Sequence, residues 1–379
     1  MSASVRTVDG TPISRVALGA TGTGTAQGAT AEGDTARIRL FRSALDLGVT
    51  VFDTAELYGG GYSEQLLGRA FGGRRESVFI CSKFNPDHAT AAGIEQAVEG
   101  SLRRLGTDYI DLYQLHWPSP FVPFEETWGA LSRLIDAGKV RFFGAGNCSH
   151  REFLEYRRVS GDRIAAVELP FNVSEPDAAL PFLPWATGGG KMIFAYSPLG
   201  QGRLCRSQVA EPAVSAIMQR HRVSENQLAL AWIMSFPNVV PVFQTGSTQH
   251  LKENLSAASI TLAAEEIRVL QAAYAAATSE VPLSRIVPPP LDGSAGYACQ
   301  EEAAANAFDW IPSPALLAER IRRGDPPYPL RLVGPDPEGC YRPDGYDLRG
   351  EMKKYWAWRM VRDEAAPVPA YVFDSQRTR

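Results

Sequence analysis

Four side chains able to move a proton beside a carbonyl group fall at corresponding places along this chain. Asp53 and Tyr58 follow the apolar run Val49–Phe52, Lys83 follows Ser77–Ser82, and His116 follows Tyr109–Leu115. A free tyrosine titrates near pH ~10, too weak an acid to protonate an alkoxide efficiently at neutral pH. An ammonium beside it favours the phenolate and is expected to lower that value. A carboxylate on the far side of the lysine would hold it charged and oriented. A histidine could donate to the carbonyl oxygen and polarise it. In this reading Tyr58 is the general acid of a reduction and the base of an oxidation, Lys83 and Asp53 tune it, and His116 orients the substrate. Taken singly, the Asp reads as a helix cap or a structural ion pair, the Tyr as packing, and the His as a turn residue. Their succession at three strand ends carries the chemical reading.

The elements that must position them alternate. Thr7–Ser14 reads as a small hairpin turning at Asp9-Gly10. From Arg15 onwards, apolar strand-like runs alternate with helical stripes eight times, to about Ala277. The strands fall at Arg15–Leu18, Val49–Phe52, Ser77–Ser82, Tyr109–Leu115, Val140–Phe143, Ile164–Val167, Met192–Ala195 and Val239–Phe243. Asp34 is the expected cap of the first helix, Ser149 caps the helix carrying Phe153, and Ser224–Gln227 forms a capping box. A looser helical piece runs through Leu180–Trp185, and Thr261 begins the last helix. Near-continuous apolar strands are buried on both faces, as in parallel sheets. Strict alternation leaves an open doubly wound sheet or a closed barrel, or two smaller α/β domains. Eight units without a linker favour a (β/α)8 TIM barrel with an N-terminal β-hairpin over residues 1–278. In such a barrel the C-terminal strand ends share one rim, where Asp53, Tyr58, Lys83 and His116 would meet.

Composition narrows the class. With 379 residues the chain has room for a barrel and an appendage, and its net charge of −4 gives no pull towards nucleic acid or an anionic membrane. No apolar run approaches the ~20 residues that span a bilayer, and Met1–Arg6 carries no signal-peptide pattern, so a cytoplasmic location is expected. The five cysteines are scattered without paired spacing, which suggests neither a disulfide framework nor a metal site.

Four stretches carry a family resemblance. Phe52-Asp-Thr-Ala-Glu-Leu-Tyr-Gly-Gly-Gly61, Ser82-Lys83, Asp108–His116 and Ala195-Tyr-Ser-Pro-Leu-Gly-Gln-Gly202 together resemble the aldo-keto reductases over roughly residues 5–277. The resemblance implies NADP(H) bound across the barrel rim and hydride transfer to an aldehyde or ketone. It places the family's catalytic tetrad on Asp53, Tyr58, Lys83 and His116. It places cofactor contacts on Gly19, Ala20, Thr21 and Asp53 and the carboxamide contact on Asn147. Glu168 stands where the family usually has Gln, and could accept a hydrogen bond from the carboxamide. The ring-stacking tyrosine falls on Tyr196. Ser197, Leu199 and Gln201 lie along the pyrophosphate, and Gln244, Thr245, His250, Glu253 and Asn254 lie at the adenosine end. Two further departures stand out. Gly146 replaces the usual Ser before the carboxamide Asn. Gln244 and His250 occupy positions where many members place Lys or Arg against the 2′-phosphate, which leaves NAD(H) as an alternative cofactor. Gly22-Thr-Gly24 with Gly28 is a weak echo of the dinucleotide glycine loop and reads better as a rim loop.

Residues 279–379 break the pattern. They hold 14 of the 27 prolines, which leaves room for only two sustained helices, Pro314–Arg323 and Arg349–Arg362. This extension reads as an ordered strap on the barrel, with a lid over the substrate rim or a docking element as alternatives. The first functional reading is an NADP(H)-dependent reductase or dehydrogenase of a small-molecule or sugar-like carbonyl. The alternatives are a cofactor-binding regulatory protein acting through its extension, and a redox-neutral epimerase or dehydratase. Substrate and oligomeric state stay open.

Overall fold

The computed structural model describes residues 4–22, 26–119, 122–148, 150–174, 176, 179–187, 190–200, 212–279, 332–335 and 341–343. Ser149, Gln201 and both expected helices of the extension lie outside these residues.

The alternation closes on itself. Strands β3 (Ala17–Gly19), β4 (Val51–Asp53), β5 (Phe79–Phe84), β6 (Ile110–Leu115), β7 (Val140–Gly146), β8 (Ile164–Pro170), β9 (Met192–Tyr196) and β10 (Val239–Phe243) form a closed barrel, with β10 pairing to both β9 and β3. Every pairing within it is parallel, so all the C-terminal ends open onto one rim. The helices between them supply the outer layer.

Each strand has two distinct faces. Phe52, Ile80, Tyr113, Leu115, Phe143, Val167 and Ala195 point outward and pack in the core shared with the helices. Val51, Phe79, Leu112, Ala166, Met192, Phe194, Val240 and Val242 point inward and form a second, smaller core. Side chains alternate along a strand with period two. Continuing the inward series therefore brings Asp53, Cys81, Lys83, Gln114 and Glu168 into the barrel above that apolar floor. The pattern that buries the floor also aims the chemistry.

The floor is sealed from below by the hairpin β1 (Ser4–Arg6) and β2 (Pro12–Ser14), whose Val5 and Ile13 belong to the inner core. Its turn lies where expected, with Gly10 at φ +83° and the Thr7 carbonyl accepting from the Gly10 N–H at 2.9 Å. An ionic network ties the hairpin to the barrel. Asp111, 1% exposed, accepts from Arg75 Nη2 and Arg141 Nη1 at 2.6 Å each and from the Ile80 N–H at 2.9 Å, while Arg141 Nη2 reaches Asp9 at 2.9 Å.

Two boundaries differ from expectation. The first helix, α1 (Ala31–Asp46), is capped by Thr30, whose hydroxyl accepts from the Gly33 N–H at 3.0 Å. Asp34 sits inside the first turn and bonds Tyr62 and Arg69 instead. Both residues are good caps by type, and the extended backbone of Thr30 decides between them. The last barrel helix runs Ala264–Ser279 rather than starting at Thr261, because Glu266 folds back to accept from the Ala263 N–H at 2.8 Å. The Ser224–Gln227 capping box is present as read. Within the extension, the described residues form a two-stranded antiparallel sheet of Leu332–Pro335 and Tyr341–Pro343, which the proline count did not suggest.

Removing one partner from a buried ionic network strands the others. Asp111→Ala is expected to cost about 3 kcal/mol or more of stability, read as a lowered urea midpoint, with the barrel fold retained.

Candidate active site

The inward-facing groups at the strand ends converge on Lys83. Its Nζ donates to Asp53 Oδ1 at 2.5 Å and to the Thr54 carbonyl at 3.1 Å, and lies 3.2 Å from Glu168 Oε1. All three charged side chains are at most 5% exposed. Lys83 lies beneath the Tyr58 ring, with Nζ 5.3 Å from the centroid. The His116 ring meets Tyr58 edge-on at 5.7 Å and stacks on Trp117 at 3.6 Å. The four residues read as catalytic from the sequence are therefore together, and Glu168 joins them as a second carboxylate.

Tyr58 stands on a turn that several bonds hold in place. Its N–H donates to the Ala55 carbonyl at 3.0 Å. Glu56, two residues earlier, accepts from the Asn85 N–H at 2.6 Å and contacts His88 Nδ1 at 2.8 Å, which fastens this loop to the one after β5. Gly59, Gly60 and Gly61 follow at φ +65°, +66° and +87°, a left-handed run that residues with side chains rarely adopt. A Cβ at Gly61 would lie 2.3 Å from Arg104 Nε, so the glycine is needed there for space as well.

The next sector of the rim begins at Asn147. This residue has φ +54°, its Nδ2 donates to the His116 carbonyl at 2.9 Å, and its Oδ1 accepts from Tyr196 OH at 2.8 Å. Gly146 is explained by crowding: a Cβ there would lie 2.7 Å from the His116 carbonyl oxygen. A serine would collide with the strand that carries His116.

Tyr196, half-buried, ends β9, and Ser197 follows at φ +49°. Leu199 packs against the outer core. On the neighbouring sector, Gly19 closes β3 so near β10 that a Cβ would lie 3.2 Å from Gln244 Cγ. Ala20 N–H donates to the Asp53 carbonyl at 2.8 Å, which places Gly19, Ala20 and Thr21 between the catalytic group and Gln244. Thr245 and Ser247 form the turn into the helix Thr248–Ser256, which exposes His250 and Glu253 and buries Asn254. The rim thus offers an amide beside a half-buried aromatic face at its centre, and a polar turn at one side. These are groups of the right chemistry for a nicotinamide and an adenosine end.

Electrostatics corrects one expectation. Burial and the neighbouring Glu168 push the Asp53 carboxyl up to about 8, against the pull of Lys83. Burial opposes the charge on Lys83, yet Asp53, Glu168 and Tyr58 overcome it and hold the ammonium well above its usual range. Tyr58 moves upward, not downward. Burial leads, Lys83 does favour the phenolate as expected, and the charges of Asp53 and Glu168 work against it. The sequence reading counted one carboxylate where the site has two.

Gln114 and Glu56 were missed. Gln114 Nε2 donates to Glu168 Oε2 at 2.7 Å. The signal was available: Gln114 is a polar residue in an apolar run, two positions before His116 and hence on the same face.

A closed parallel barrel with its polar groups gathered at the C-terminal strand ends defines the (β/α)8 class of enzymes. Comparison with known proteins fixes the family: the model described as the Aldo/keto reductase family matches residues 15–275, and the chain belongs to that family. It is 34% identical over 274 residues to methylglyoxal reductase YeaE of Escherichia coli K12, covering 72% of this chain and 96% of that protein. Among solved structures, the thermostable aldo-keto reductase Tm1743, in complex with the inhibitor epalrestat, superposes with TM-score 0.66 at 33% identity, over 72% of this chain and 99% of its own. An aldo/keto reductase from Klebsiella pneumoniae in complex with NADP and acetate superposes with TM-score 0.66 at 31% identity, over 73% of this chain and 96% of its own. As a member of the family the chain is an oxidoreductase acting on carbonyl groups.

Because Asp53 titrates higher in the fold than its ordinary value of 3.8, it contributes stability fully below about pH 4. That contribution is lost as pH rises through about 8. Thermal melts from pH 5 to 9 should show wild type losing ground to Asp53→Asn across this window.

Proposed function

We propose that this chain reduces a small-molecule aldehyde or ketone with NADPH as cofactor, Tyr58 delivering the proton to the carbonyl oxygen. The observation that carries the reading is the convergence of Tyr58, Lys83, Asp53 and His116 within one buried cluster. When bound, the cofactor supplies the hydride. Asn147 and Tyr196 would hold its nicotinamide end, and the Gly19–Thr21 and Gln244–Asn254 segments its far end. The NADP named with the Klebsiella structure supports NADP(H) over NAD(H).

The residues of the chain divide the remaining work. His116, backed by Trp117, orients the carbonyl oxygen towards Tyr58. As negative charge builds on that oxygen, the Tyr58 phenol gives up its proton, and Lys83 stabilises the phenolate left behind. Asp53 keeps Lys83 in place. Since burial holds Tyr58 as a phenol well above neutral pH, the resting protonation state serves reduction. The catalytic unit is residues 1–278. A small α-ketoaldehyde is a sensible first substrate, given the name of the Escherichia coli relative.

Turnover of NADPH with methylglyoxal and p-nitrobenzaldehyde tests the assignment. Tyr58→Phe should lose about 10²–10⁴-fold in kcat/KM, as expected for removal of a general acid. Undiminished turnover in that variant would refute the role given to Tyr58. Fluorescence-quench titration should show tighter binding of NADPH than of NADH. Equal affinities would show that the Gln244–His250 turn does not distinguish the 2′-phosphate.

A further inference from the structure

The second carboxylate is built into the site. Lys83 on β5 faces Gln114 on β6 in register, Gln114 faces Gly144 on β7, and Gly146 on β7 faces Glu168 on β8. Gln114 and Glu168 are thus separated by a whole strand, yet they share a 2.7 Å hydrogen bond. The side chain of Gln114 crosses β7 over Gly144, where a Cβ would lie 2.8 Å from Gln114 Oε1. Gly144 is the gap that lets the two meet. Glu168 then presents its other oxygen to Lys83.

We propose that Glu168, held by Gln114 across Gly144, is a positioning residue for the proton transfer: a second counter-ion that shares Lys83 with Asp53 and so lessens the pull of Lys83 on the Tyr58 phenolate. The inference rests on Tyr58 being the proton donor. One buried cation between two carboxylates leaves an excess negative charge, which adds to burial in pushing the Asp53 carboxyl up to about 8. The other titratable groups around the cluster are Cys81, whose buried thiol is held well above its usual range, and His116, Tyr58 and Tyr196 at the rim. Lys83 is the cation this cluster shares.

Above about pH 8, where Asp53 has lost its proton, Glu168→Gln removes one negative charge from the cluster at nearly constant shape. Gln114 Oε1 is buried without a hydrogen-bond partner among the described residues, so turning its amide would give a glutamine at 168 a partner. More of the Lys83 field then reaches Tyr58, and the phenolate forms more easily. The pH profile of kcat/KM for NADPH with p-nitrobenzaldehyde should show its alkaline limb moving down by about one pH unit or more. Gln114→Met removes the hydrogen bond that holds Glu168 against Lys83, and should move the limb in the same direction by less. An ultraviolet difference titration of tyrosinate, wild type against Tyr58→Phe and repeated in the Glu168→Gln background, reads the same shift without turnover. If Glu168→Gln does not fold, Gln114→Met decides. A uniform fall in kcat/KM at every pH, with the limb and the tyrosinate titration unmoved, would mean that Glu168 is only structural. An active Tyr58→Phe would instead remove the premise, which separates the two failures.

Discussion

Burying the Lys83 ammonium is the constraint on which the rest of this structure depends. An uncompensated ion of this kind costs several kcal/mol, so a lysine 1% exposed must be surrounded by acceptors placed in advance. Asp53, the Thr54 carbonyl and Glu168 are those acceptors, and they come from β4, its following turn and β8. Only a closed sheet brings β4, β5 and β8 within reach of one side chain. The barrel therefore does more than present loops: its curvature assembles the counter-ions. Below them the apolar floor of Phe79, Leu112, Phe142 and Met192, sealed by Val5 and Ile13 of the hairpin, keeps water away from the charge.

Upward from Lys83 the demands are of another kind. Tyr58 must be held over the ammonium yet remain open to a substrate, so it sits on a turn and not within a strand. Turns are loose unless tied, and here Glu56 bonds the backbone and a side chain of the next rim loop. Thr54 and Ser63 add a buried 2.8 Å hydroxyl contact, and the Ser63 hydroxyl donates on to the Ala20 carbonyl at 2.9 Å. Tyr58 is thereby fixed from both sides. The left-handed glycines after it let the chain leave the rim at once and begin the helix Tyr62–Phe71.

Much of this was legible in the sequence because strand periodicity is a local signal. Near-continuous apolar runs ending before Asp53, Lys83 and His116 put these side chains at strand ends, and strand-then-helix repetition implied that the sheet closes. What local patterns do not encode is distance between strands that are not neighbours. That Gln114 reaches Glu168 depends on the absence of a side chain at Gly144 in the intervening strand, and that Gly146 cannot be serine depends on the His116 carbonyl opposite. In the sequence Gly146 stands out only as a departure from the family's usual Ser, and Gly144 carries no signal. The upward shift at Tyr58 is led by burial and added to by Asp53 and Glu168, and burial too is a property of the assembled fold. Glu168 was counted as a cofactor contact on β8, and its 3.2 Å approach to Lys83 is a property of the closed barrel. The cap at Thr30 in place of Asp34 is a smaller case, decided by backbone conformation where residue type allowed either.

The two-carboxylate arrangement carries a trade-off that one carboxylate would not. A phenol that titrates high is always loaded with its proton at neutral pH, but it is a weaker acid when the proton must leave. Lowering its titration reverses both properties. Burial raises the titration of Tyr58 first; against that background Lys83 pulls it down and Asp53 and Glu168 pull it up, so the number of negative charges sharing one cation adjusts the balance. Asp53 cannot be given up, because it anchors the lysine at 2.5 Å. Glu168, more distant from Lys83 and itself held by Gln114, is the adjustable member of the set. A change at this one inward position leaves the backbone of Tyr58, His116 and Lys83 in place, since none of them depends on β8 for it, and on the proposed role of Glu168 it would retune the phenol through charge. The strand that contributes least to the geometry of proton transfer is thus the one best placed to set its strength.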